Sequence, residues 1–220
     1  MKAMILAAGR GARLKPLTDQ TPKPLLVVGE CSLIEHNLLK LRNAGITEVV
    51  INVCHCAKQI IQTLGNGQRY GLQIEYSYEE GSALGTGGGI YQALPLLGDD
   101  PFLIVSSDVW SEFAFGSSII QSNSDLHLVL VENPYYHPKG DYALTENGKV
   151  HFNGNKLTYA GIAKAHPRLF THCQQGNFSI SPLFNQAIDL GQASGELYKG
   201  PWFNVGTAKE LDRLRKSLSS

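Results

Sequence analysis

Apolar residues along this chain fall into two alternating regimes. The first is a set of short, nearly continuous runs: Ala3-Met4-Ile5-Leu6 after Lys2, then Glu48–Val53, Phe102–Ser106 and Leu126–Val131. Runs of that length with little polar alternation are expected of strands covered on both faces, as in a parallel sheet. The second regime has helical spacing. Leu33, Ile34, Leu38, Leu41 and Ala44 recur near the helical period, and Gly45 is placed to end that helix. Residues 57–64, followed by Gly65, predict a second helix, and residues 89–97 a third. Strands alternating with helices predict an α/β fold on a doubly wound, mostly parallel sheet.

Two segments depart from this alternation. Residues 135–155 are richer in Gly, Asn and His and predict turns and short strands, a small β subregion inserted beside the sheet. Residues 210–217 predict a short charged helix. A length of 220 residues suits a single domain spanning 1–220 with a sizeable core.

Composition narrows the function classes. Lys+Arg and Asp+Glu are balanced at 19 each, so no global positive field draws in nucleic acid. No apolar run approaches the roughly 18 residues of a membrane span, and the N-terminal apolar segment is too short for a signal-peptide core. Four cysteines, Cys31, Cys54, Cys56 and Cys173, form no disulfide-dense framework, which points to a reducing cytoplasm. Cys54-His55-Cys56 lacks the spacing and the second ligand pair of a structural zinc site. The histidines are scattered without ligand spacing.

The chemistry concentrates in the first 25 residues. The apolar run ending at Leu6 opens into Ala7-Ala8-Gly9-Arg10-Gly11-Ala12-Arg13-Leu14, and Thr21-Pro22-Lys23-Pro24-Leu25 follows a Pro16-Leu17-Thr18 turn. Missing side chains at Gly9 and Gly11 let backbone N–H groups approach an anion, while Arg13 and Lys23 supply neutralising charge. A dinucleotide fingerprint is excluded: Leu14 stands where its third glycine belongs, and Asn52 closes the second strand where an acid is needed. A Walker loop is excluded because Gly11-Ala12-Arg13 does not continue as Gly-Lys-Ser/Thr.

The segments Leu6–Thr18 and Pro22–Leu25 closely resemble the leading motif of the sugar-1-phosphate nucleotidyltransferase family. That resemblance implies a Rossmann-like sheet and transfer of a nucleotidyl group from an NTP to a hexose 1-phosphate. Its shorter members imply UTP and N-acetylmuramate 1-phosphate, with GTP and mannose 1-phosphate as the alternative pair. Ala8, Gly9, Gly11 and Arg13 would then cradle the triphosphate, and Lys23 would contact the reacting phosphates.

Three further motifs carry the same resemblance. Leu84-Gly85-Thr86-Gly87-Gly88-Gly89 matches an element that lies against the base, assigning nucleotide contacts to Gly85 and Thr86, with Glu80 as a base-reading carboxylate. Three successive glycines open a helix poorly, each costing about 1 kcal/mol relative to Ala in a helix interior, so some need for close backbone approach is expected there. Ser107-Asp108-Val109 follows a buried strand and resembles Gly-Asp-x, making Asp108 an expected Mg2+ ligand; the rival role is a loop aspartate capping a helix. Trp202-Phe203-Asn204-Val205-Gly206-Thr207 resembles a motif whose third residue is an aspartate, the second metal ligand. Asn204 stands there instead. It either still ligates through its amide oxygen or leaves a chain that binds nucleotide-sugars without efficient turnover.

On the sugar side the resemblance implies hexose contacts for Gly140, Asp141, Gly161 and Glu196, although Asp141 and Glu196 read equally well as solvated loop carboxylates. The partners implied are small molecules, an NTP and a sugar 1-phosphate, with no nucleic acid and no membrane, on a monomer or small homo-oligomer.

Overall fold

The computed structural model describes residues 1–218, apart from the side chain of Ser117. In chain order it runs β1 (Ala3–Leu6), α1 (Leu17–Gln20), β2 (Val27–Val28), β3 (Cys31–Ser32), α2 (Leu33–Asn43), β4 (Glu48–Val53), α3 (Ala57–Leu64) and β5 (Gln73–Tyr78). Then come α4 (Gly85–Leu97), β6 (Phe102–Ser106), β7 (Val109–Ser111), α5 (Ser117–Gln121), β8 (Leu126–Val131), β9 (Tyr142–Leu144) and β10 (Val150–His151). The chain closes with β11 (Lys156–Ala165), α6 (Ser181–Asp189), β12 (Ala193–Leu197), β13 (Trp202–Asn204) and α7 (Ala208–Leu218).

β5, β4, β1 and β6 lie side by side and parallel. β11 joins β6 antiparallel, β8 joins β11 antiparallel, and β12 joins β8 parallel. β9 and β10 form an antiparallel meander on the first residues of β11, completing a nine-stranded sheet. That meander is the small β subregion expected within 135–155. The sheet is therefore Rossmann-like and mostly parallel.

The strands read as continuous apolar runs because helices cover both faces. Ala3, Ile5, Val49, Ile51, Leu103 and Val105 pack to one side with residues of α2 and α3. Their alternates Met4, Val50, Phe102 and Ile104 pack to the other with Ile90, Ala93 and Phe184 of α4 and α6. A third cluster seats Leu211 and Leu214 of α7 against Leu14, Leu33, Trp110 and Val205. α2 begins in a capping box, Ser32 with Glu35, and its last turn is followed by Gly45 at φ +79°. No helix among the described residues is long and apolar enough to cross a membrane.

One boundary is corrected. The third helix begins at Gly85, four residues before the expected start, and runs through the glycines. Packing requires them: a Cβ on Gly87 would lie 2.5 Å from the Phe178 ring, one on Gly88 would collide with the Gly176 carbonyl, and one on Gly89 with the Glu79 carboxylate. Close approach of the 176–179 segment and of Glu79 replaces the helix propensity that the glycines forgo.

Candidate active site

Open α/β sheets hold ligands at the carboxyl ends of their strands, where the connections diverge to opposite faces. Here that point lies between β1 and β6, and a cleft of about 370 Å³ opens above it. One wall is Ala8, Gly9, Gly11 and Arg13; the opposite wall is Ala83, Gly85 and Thr86; Asn52 and Glu79 lie between, with Lys23, Asp108 and Gly206 also in the lining.

The phosphate-loop candidates share that wall for local reasons. Gly11 takes φ +62°, turning the chain into a short 3₁₀ turn over Ala12–Leu14, and its carbonyl accepts from the Thr18 hydroxyl at 3.0 Å. A Cβ on Gly9 would meet nothing within 4 Å, so its backbone faces open space. The Arg13 guanidinium reaches across to Gly206, its nitrogens 3.7 Å from where a Cβ on that glycine would sit. Lys23 is buried, and its Nζ lies 2.6 Å from Asp108 Oδ2.

Asp108 follows β6. Ser107, standing where the family motif has glycine, donates from its Oγ to the Leu6 carbonyl at 2.6 Å and so ties the end of β6 to the end of β1. β7 and β13 then pair antiparallel with Asn204 opposite Val109, and the Val205 N–H donates to the Asp108 carbonyl at 2.9 Å. That ribbon rests on Trp110, which packs edge-on to Phe203, with the Lys40 ammonium 5.1 Å from its ring centroid. Burial pushes Lys40 down to about 8, against the opposing pull of Glu112 and Cys31. Asn204 Oδ1 is buried and has no hydrogen-bond partner. Mg2+ takes oxygen ligands and is held through one or two protein groups together with substrate phosphates. Asp108 lines the cleft, and the orphaned amide oxygen of Asn204 lies on the strand paired just after it, outside the cleft lining; a carboxylate and an amide oxygen are donors of the kind that Mg2+ takes.

Other candidates lie elsewhere. Glu80 is exposed and outside the lining, whereas Glu79 is buried and faces in, because alternation at the end of β5 turns neighbouring side chains oppositely. The Thr86 hydroxyl accepts from the Ile180 N–H at 3.0 Å, and the Phe178 carbonyl accepts from the N–H groups of Gly87 and Gly88 at 3.0 and 3.2 Å. The first turn of α4 is thus largely occupied by protein partners.

None of the sugar-side candidates lines the cleft. Asp141 accepts from the Tyr159 N–H at 2.8 Å and pairs with His137 at 3.0 Å, holding the 133–141 loop to β11. Gly140, at φ +59°, leaves a Cβ no room against Asn133 Oδ1 at 2.7 Å. Gly161 sits at the β11 bulge, φ +76°, where a Cβ would press on Val109 and Ser106 at 2.9 and 3.0 Å. Glu196 on β12 accepts from Ser118 at 2.8 Å and faces His127 at 3.2 Å. Burial works to raise the Glu196 carboxyl, but the bonds from His127 and Ser118 and the charge on His127 outweigh it and hold the group below its ordinary value.

Asn52 and Glu79 were missed as site residues. Asn52 entered the sequence reading only as evidence against a dinucleotide site, and the parity that turns Glu79 inward needed the bounds of β5, which alternates polar and apolar residues and so stands outside the set of continuous apolar runs.

This sheet and the cleft at the carboxyl ends of its strands define an α/β protein of the open-sheet, ligand-binding class. The nucleotidyl transferase family model matches residues 2–153, and the chain belongs to that family. It is 43% identical to an N-acetylmuramate α-1-phosphate uridylyltransferase of Neisseria meningitidis serogroup B, over 96% of this chain and 95% of that one. The Caulobacter vibrioides protein of the same name is 34% identical over 93% and 91%. A mannose-1-phosphate guanyltransferase of Aspergillus oryzae is 31% identical over 96% of this chain and 62% of its own length. Among solved structures, a putative glucose-1-phosphate thymidylyltransferase from Bacillus anthracis superposes with a TM-score of 0.87 at 22% identity, covering 99% and 95%, a likeness of fold.

Proposed function

We propose that this chain, as one domain over residues 1–220, transfers a uridylyl group from UTP to N-acetylmuramate 1-phosphate in the cytoplasm, with Mg2+ as cofactor. The observation that carries the reading is Lys23 Nζ at 2.6 Å from Asp108, at the open end of a glycine-walled cleft. A cation and a carboxylate paired in the lining of that cleft support phosphate chemistry there. Similarity to the uridylyltransferases over nearly the whole chain supports the choice of UTP and sugar.

A phosphate oxygen of the sugar 1-phosphate attacks the α-phosphorus of UTP. The bond from that phosphorus to the bridging oxygen breaks, and pyrophosphate leaves with the electron pair. The nucleophile is already anionic, so no general base is required. Catalysis then rests on positioning and charge neutralisation. The Ala8–Gly11 backbone and Arg13 hold the β- and γ-phosphates, Lys23 neutralises the α-phosphate, and Asp108 with Asn204 Oδ1 would hold Mg2+. Bound there, the ion would neutralise charge on the α-phosphate and the incoming phosphate.

Pyrophosphate release from UTP and GTP, each with N-acetylmuramate 1-phosphate and mannose 1-phosphate, tests the reading. The highest kcat/KM is expected for UTP with N-acetylmuramate 1-phosphate. Preference for GTP with mannose 1-phosphate would reassign the substrates, and nucleotide binding without turnover would make the chain a sensor. Lys23→Ala should lower kcat by about 10²–10³-fold, the usual loss for one transition-state charge contact. Asn204→Asp should lower the Mg2+ concentration needed for half-maximal rate; an unchanged requirement would remove position 204 from the metal.

A further inference from the structure

Between the two walls of the cleft runs a chain of three hydrogen bonds. The Ala7 N–H donates to Asn52 Oδ1 at 2.8 Å. Asn52 Nδ2 donates to Glu79 Oε1 at 2.6 Å, and Glu79 Oε2 accepts from the Leu84 N–H at 2.7 Å. Asn52 and Glu79 are 3% and 4% exposed, and Gly89 of α4 lacks the Cβ that would press on both. The two ends are informative: Ala7 opens the phosphate loop, and Leu84 immediately precedes Gly85 and Thr86 of the opposite wall. Both side chains also line the cleft.

The polarity of this relay is constrained. Each end is a backbone donor, so the middle must accept, donate, accept and accept, which one amide and one carboxylate achieve. Two amides leave a donor facing a donor. Two carboxylates leave an acceptor facing an acceptor, with like charges in a buried place.

We propose that Asn52 and Glu79 are positioning residues, a spacer that holds the phosphate loop and the Gly85–Thr86 wall at the separation one nucleotide requires, so that base and triphosphate are bound cooperatively. This rests on the nucleotidyltransferase reading of the cleft. A spacer acts on the linkage between two half-sites and leaves each half-site intact. Its loss therefore weakens the whole nucleotide far more than either fragment, because the effective concentration of the second contact falls.

The test compares dissociation constants for UTP, uridine and inorganic tripolyphosphate in the wild type, Asn52→Asp, Glu79→Gln and the double exchange of both positions. The double exchange restores the pattern with the two groups interchanged. The carboxylate introduced at position 52 accepts from the Ala7 N–H and from the amide introduced at position 79, whose oxygen accepts from the Leu84 N–H. Each single variant should bind UTP about 30-fold more weakly while holding uridine and tripolyphosphate within about threefold of wild type, and the double should regain UTP affinity to within about fivefold. Losses spread equally over all three ligands, single variants with unchanged UTP affinity, or a double no tighter than the singles would each overturn the spacer. If a single variant does not fold, the double exchange decides alone: UTP affinity within about fivefold of wild type supports the relay, and any greater loss overturns it. A wild type that binds none of the three ligands would instead overturn the nucleotide reading and the spacer with it.

Discussion

The two glycine-rich segments of this protein look alike in sequence and serve opposite purposes. In the first, Gly9 opens onto empty space, and the absent side chain matters for what approaches from outside. In the second, Gly87, Gly88 and Gly89 are buried, and their missing side chains are replaced by Phe178, Gly176, Glu79 and Asn52 of the protein itself. Gly11 lies between these extremes: its φ of +62° favours glycine, and a Cβ there would sit 3.1 Å from that of Lys23. Glycine at a wall of a cleft therefore signals either ligand access or packing, and only the neighbours tell which.

Substitutions to alanine sharpen that contrast. Gly88→Ala forces backbone apart at Gly176 and should destabilise the fold by about 3 kcal/mol, lowering Tm by about 9 °C for a chain of this size; a thermal melt within about 2 °C of wild type would break the comparison. Gly11→Ala should cost about 1–2 kcal/mol through its left-handed backbone and also lower kcat, because Lys23 must shift. Gly9→Ala should leave Tm within about 1 °C yet raise KM for UTP about tenfold, since its Cβ meets no protein atom and would intrude on the proposed triphosphate cradle. A melt lowered as far as that of Gly88→Ala would show that both segments are packed alike. Glu80→Gln should change neither stability nor KM measurably, within about 0.5 kcal/mol for an exposed site; a marked loss of UTP affinity would return Glu80 to the base.

Legibility followed burial. The bounds of β4, β6 and β8 and of α3 stand where the apolar pattern placed them, because strands covered on both faces and a helix ending in glycine give undiluted local signals. β5 lacks the continuous apolar run of its neighbours: at the edge of the sheet Gln73, Glu75 and Ser77 alternate strictly with Ile74, Tyr76 and Tyr78, a period-2 strand signal that a search for unbroken apolar runs passes over. β11 is broken by the bulge at Gly161, and α4 by its glycines, whose justification lies in residues far away in sequence. Of the candidate site, the residues from Ala8 to Lys23 are close together in the chain and came into view through a contiguous motif. Asp141 and Glu196 show the converse. A carboxylate in a Gly-rich turn looks available, yet Tyr159 and His137 occupy one, and Ser118 and His127 the other.

By itself, the sequence determined the continuous apolar strands, the helices that end in glycine and the glycine-rich turn after β1, since each depends on residues within a few positions of one another. Tertiary structure alone decided that Asn52 and Glu79, not Glu80, span the cleft, and strand pairing carries Asn204, which the motif resemblance had grouped with Asp108, onto the neighbouring strand. The reason is register. Strand pairing sets which distant residues stand opposite one another, and pleat parity sets which of two neighbours points inward; both depend on the whole sheet.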